Sequence, residues 1–143
     1  MTASTPLRLG RSLKPFRRPW LWSGSWCFAV AAVVFFSLLP ASSLDDLPSA
    51  NDKVEHFAAY AALAFGAVQL FPRWSSLMVV GLGLVFMGIG MEYAQGAMAV
   101  GRMMDRYDAL ANTLGVIAGL GVQLTPLRDL LLKFDGRRDA SAV

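Results

Sequence analysis

The sequence predicts an all-α integral membrane protein, a bundle of four transmembrane helices with both termini cytoplasmic. Three observations carry this reading. Of 143 residues, 55% are hydrophobic and only 16% charged, whereas a soluble domain needs roughly 25% charged residues to wet its surface. The apolar residues fall into four stretches of about membrane-crossing length. Lys and Arg, which set membrane orientation, gather on one side of those stretches. The same composition excludes a disordered chain, which is charge-rich and apolar-poor. A disulfide-stapled fold is excluded by the single cysteine, Cys27.

The first stretch, residues 20–39, carries no charge, and a helix of that length at ~1.5 Å per residue spans the ~30 Å hydrocarbon core. Pro40 ends it. The run exceeds the roughly 7–15 residues of a signal-peptide core, so it reads as a retained helix behind a basic leader, residues 1–19. Cys27, between Trp26 and Phe28, reads as a small apolar filler. Further helices are expected over about 54–71, stopped by Pro72, over 74–95, and over 107–124, stopped by Pro126. Residues 125–143 form a tail. With this layout ten Lys and Arg lie on the leader, tail and second-turn side, and only Lys53, Arg102 and Arg106 on the other. All four tryptophans fall at the basic ends of the helices, where an aromatic belt is expected.

Polar residues at helical positions collect toward the outer end. Lys53, His56 and Tyr60 are spaced three and four apart and share one face of the second helix. Gly81, Gly88, Glu92 and Gln95 follow one stripe of the third helix, and Asp108, Asn112, Gly115 and Gly119 one stripe of the fourth. Because successive helices alternate in direction, Lys53, His56, Glu92, Gln95, Asp108 and Asn112 reach one level, with Arg102 in the connection above it. A buried carboxylate needs a partner, and Lys53, His56 and Arg102 are the donors at hand for Glu92. The glycines remove bulk, so the helices can approach closely.

The order Asp52-Lys53-x-x-His56-Phe57-x-x-Tyr60, then Glu92-x-x-Gln95, then Arg102-x5-Asp108-x3-Asn112-x2-Gly115 resembles the VanZ-like family of small bacterial membrane proteins. The resemblance covers roughly residues 51–121; the first helix matches only as a hydrophobic span. Members often carry Pro-Gly before the arginine, where this chain has Val100-Gly101. The family is named for a protein associated with low-level glycopeptide resistance. The resemblance implies a multi-pass protein of the inner (plasma) membrane and cell envelope, and no agreed biochemical activity.

Two functions are compatible with these residues. In one, the outer polar layer binds or modifies an anionic lipid or wall-precursor group. His56, Glu92 and Asp108 are then the candidate acid/base residues, because imidazole titrates near neutral pH and a carboxylate can orient it. Lys53 and Arg102 hold the anion, Arg102 through its two-pronged guanidinium. In the other, the layer only locks helix packing in an accessory protein that works with a membrane-protein partner or a second copy of itself. His56, Glu92 and Asp108 are also metal-ligand types, but without an HExxH, a paired histidine or a cysteine set no metal or other cofactor is expected. The basic leader touches anionic lipid, and no nucleic-acid reader accompanies it.

Overall fold

The computed structural model describes residues 13–40, 51–98 and 103–136, and these are helical throughout their regular structure. Helix α1 (Pro19–Ser37) begins with proline at its first position, where the missing N–H costs nothing. Helix α2 (Asp52–Leu70) starts earlier than the hydropathy suggests. Asn51 caps it by accepting the Lys53 N–H at 3.0 Å, and Asp52 and Glu55 sit in its first turn. Helix α3 (Trp74–Met98) runs three residues beyond the expected end. Helix α4 (Arg106–Gly121) is capped by Asp105, whose side chain accepts the Tyr107 N–H at 2.8 Å.

Helix α4 stops short of the expected Leu124. Two 3-10 turns follow, Val122–Leu124 and Pro126–Asp129, because Thr125 turns extended ahead of Pro126, which cannot donate to a continuing helix. The chain then bends by 84° into the short helix α5 (Leu130–Asp135).

By length and composition α1 and α3 can each cross a membrane, and α4 with the bent segment after it makes a third span if the two are taken together. Helix α2 carries Asp52, Lys53, Glu55 and His56 at its start, and α4, with 16 residues, is about 24 Å long. None of α1 is buried although it is apolar all round; Phe28 is 76% and Phe35 61% exposed. On α3, Val79 is 72% and Phe86 69% exposed. Apolar surface this extensive suits lipid. Cys27 is among these exposed positions rather than a filler of the core.

Helix α2 is the centre of the bundle, with Tyr60, Leu63, Ala64, Ala67, Val68 and Leu70 buried. Its tightest partner is α4, which runs parallel to it. A Cβ on Gly115 would lie 2.3 Å from the Phe57 carbonyl oxygen, and one on Gly119 2.4 Å from that of Ala61. The two backbones are therefore in direct contact, which only glycine permits. Gly81 faces the Leu120 side chain across the α3–α4 contact instead. Trp26 packs inward, donating its indole N–H to the Leu63 carbonyl at 2.9 Å, and so belongs to the α1–α2 contact rather than to a belt.

The leader and tail are knitted onto the end of the bundle where α2 finishes. Lys14 is 5% exposed; its ammonium meets the carbonyls of Val68, at 2.8 Å, and Arg128, and the Asp129 carboxylate at 3.0 Å. It thereby takes up carbonyls that the end of α2 leaves without helical partners. Asp135 accepts the N–H groups of Arg17 and Arg18 and so ties the tail to the segment just ahead of α1. Buried Gln69 bridges the Leu127 carbonyl and the Leu131 N–H.

Gly115→Ala should destabilise the fold by about 1–3 kcal/mol through overpacking against a backbone that cannot move aside. Gly83→Ala, with nothing within 4 Å of the new methyl, should be neutral or stabilising by up to about 1 kcal/mol. Reversible unfolding of the detergent-solubilised variants measures both.

Candidate functional site

The N-termini of α2 and α4 and the last turns of α3 meet at the opposite end of the bundle, and most of the polar residues singled out by sequence lie there. Lys53 reaches from α2 to the Asp105 carboxylate at 2.7 Å and to that of Asp108 at 2.8 Å. The ammonium is half-exposed at the rim, while Asp108 is buried. Asp105, which sequence reasoning passed over as a loop acid, is thus both the cap of α4 and a partner of Lys53. The Asp-x-x-Asp spacing ahead of an apolar run was the available signal.

Below the rim, His56 places Nδ1 3.0 Å from Oδ1 of Asn112. Its Nε2 lies 3.8 Å from Asp52 and 4.0 Å from Asp108, and Nδ1 is 4.0 Å from Glu92. Carboxylates from α2, α3 and α4 therefore surround one imidazole at distances too long for hydrogen bonds. Asp52, His56 and Asp108 each offer a ligand atom within 4.8 Å of the others. Glu92 is 2% exposed. Its Oε2 accepts the Asp105 N–H at 3.1 Å, which ties α3 to the cap of α4, while its Oε1 has no hydrogen-bond partner. The Tyr60 hydroxyl and the Asn112 Nδ2 are likewise buried and unpartnered. Both side chains occupy the space over Gly88, where a Cβ would come within 3.1 Å of Asn112 and 3.3 Å of Tyr60.

Gln95 turns elsewhere. It donates to the Ser37 carbonyl at 2.7 Å, joining α3 to the end of α1. Arg102 lies outside the described residues. Arg106 is directed over the Tyr107 ring, its Cζ 5.3 Å from the centroid. An apolar cleft of about 660 Å³ between α1, α2 and α5 is lined by residues that include Trp22, Leu63 and Phe134 and no ionisable side chain. Comparison of the chain with protein-family models, with curated proteins and with solved structures finds no match.

The hydrogen bond from Lys53 holds the Asp105 carboxyl below its ordinary value, with the Tyr107 N–H acting in the same direction. A carboxyl depressed on folding stabilises the folded state above the ordinary carboxylate pKa. That contribution is lost as pH falls below about 4 and through the depressed value. Asp105→Asn should therefore lower stability at neutral pH and flatten its fall in acid, as unfolding profiles against pH would record.

Proposed function

We propose that this chain is a VanZ-like protein of the bacterial inner membrane and cell envelope. In this reading all four long helices cross the bilayer and both termini are cytoplasmic. The polar layer then forms an outward-facing site that binds an anionic lipid or wall-precursor group and acts on it by proton transfer, a role connected with glycopeptide tolerance. The observation that carries the reading is the buried Glu92 carboxylate, one oxygen unpaired, beside an imidazole ringed by two further carboxylates. Intramembrane ionisable groups are expensive and mark function by default. His56, Glu92 and Asp108 are the candidate proton-transfer residues, and the free oxygen of Glu92 is the buried atom among them with no hydrogen-bond partner. Lys53 meets the anion at the rim, where the more exposed of its two carboxylate partners, Asp105, is the one an incoming anion displaces. Arg102 supplies the bidentate contact.

The topology is supported by the arrangement of the ends, since the segments next to both termini pack together at the end of the bundle opposite the polar layer. Helix α2 crosses with its ionisable first turns at head-group level, and the short α4 is accommodated by local thinning of the bilayer. A reporter fused after Val143 should be active only in its cytoplasmic form, and one placed within residues 41–50 only in its exported form. The reverse pattern would remove the outer-face site.

A structural role for the layer is the second reading, favoured by the ties that Lys53, Glu92 and Gln95 make between helices. Glu92→Gln should preserve the fold, because the amide fills the same volume and still accepts the Asp105 N–H. His56→Gln and Glu92→Gln should abolish any envelope-drug phenotype at wild-type protein level if the layer is a site. Loss of the protein itself from the membrane in these conservative variants, or full function without the imidazole, would favour the structural role.

A further inference from the structure

We propose that His56, Asp52 and Asp108 form a binding site for one divalent transition-metal ion of the Zn²⁺ class. One imidazole with two carboxylates is a ligand set suited to such an ion, and its three ligand atoms lie within 4.8 Å of one another. Two donors bound to the same tetrahedral ion at about 2.0–2.1 Å stand roughly 3.3–3.4 Å apart. The observed 3.8 and 4.0 Å from Nε2 to the two carboxylates therefore close by only about half an ångström on binding. Side-chain rotation about Asp52, which is 65% exposed, supplies part of that movement. The same exposure gives the ion a route in and leaves a coordination position open.

The surroundings match what a metal-binding imidazole requires. Ligating histidines usually donate their other ring N–H to an oxygen acceptor, which fixes the tautomer. Here Asn112, 1% exposed, presents Oδ1 to Nδ1 at 3.0 Å. Donation through Nδ1 leaves the Nε2 lone pair facing two carboxylates, an arrangement of acceptors only. On the Nδ1 side of the ring, the buried, unpartnered Oε1 of Glu92 faces the same imidazole from α3 at 4.0 Å and adds to the negative charge around it. Asp52, Glu92, Asp105 and Asp108 thus stand around Lys53 and His56 with Arg106 beside Asp105, and Lys53 is bonded to Asp105 and to the other oxygen of Asp108. Uncompensated negative charge in a layer of low dielectric is costly. A divalent cation between Nε2, Asp52 and Asp108 offsets it, on the Asp108 oxygen that Lys53 leaves free. Asp52 and His56 share one face of α2 four residues apart, but the third ligand, Asp108, lies on α4, 52 residues beyond His56, so no local motif announces the whole site.

The site does not depend on what envelope molecule the protein meets, so its test needs no phenotype. The full chain, purified in detergent and stripped of metal with a chelator, is titrated with Zn²⁺ alone, and the bound ion is examined by X-ray absorption. We expect one Zn²⁺ per chain, with an imidazole nitrogen and oxygen ligands in its inner shell. Asp52→Asn alters an exposed side chain and leaves the fold intact; it should weaken binding roughly tenfold or more, since even outer-shell partners are worth that much. His56→Gln should remove the nitrogen ligand from the spectrum. Asp129→Asn, at the other end of the bundle, should bind Zn²⁺ as the wild type does. Absence of stoichiometric binding, or binding unchanged by Asp52→Asn, would overturn the proposal.

Discussion

The fold rests on one contact, the backbone-to-backbone approach of α2 and α4 at Gly115 and Gly119. A Cβ at Gly115 or Gly119 would lie 2.3 or 2.4 Å from a backbone oxygen of α2, so a side chain at either glycine would force the helices apart. Everything at the polar end follows from that closeness. It sets the start of α2 beside the start of α4, so that Lys53 spans to Asp105 and Asp108 and His56 reaches Asn112. Helix α3 is then drawn in by Glu92, which accepts the N–H of the residue that caps α4. Each of these contacts is short-range, and none would survive a helix spacing set by larger side chains.

Parallel packing of α2 and α4 has an electrostatic consequence. Both helices point their positive dipole ends at the same place, which is unfavourable unless negative charge sits there. Asp52, Glu55, Asp105 and Asp108, all in first turns or caps, provide it. The acidity of the layer thus has a structural origin. The requirement that stabilises the helix pair and the chemistry available to the site come from the same carboxylates.

Much of this was legible in the chain. The stripes Lys53-His56-Tyr60 and Asp108-Asn112-Gly115-Gly119 follow helical periodicity directly, and the all-helical apolar character follows from composition. What escaped the sequence was set by contacts between distant segments. Lys14 reads as one more basic leader residue, yet it is buried on the end of α2. Gln95 shares the Glu92 stripe but lies one turn further on, where it meets the end of α1 rather than the imidazole. The end of α4 at Gly121 was hidden by an apolar run that continues to Leu124, because hydropathy does not register the strain that Pro126 imposes upstream.

The central claim is the α2–α4 contact, and a nuclear Overhauser measurement on the protein in lipid nanodiscs tests it most directly. The position of a Cβ on Gly115 is 3.0 Å from the Ala61 nitrogen, and that on Gly119 is 2.9 Å from the Phe65 nitrogen. The account predicts strong cross-peaks from the Gly115 α-protons to the Ala61 amide proton and from those of Gly119 to the Phe65 amide proton. Their absence from a spectrum that displays the sequential cross-peaks of both helices would contradict it.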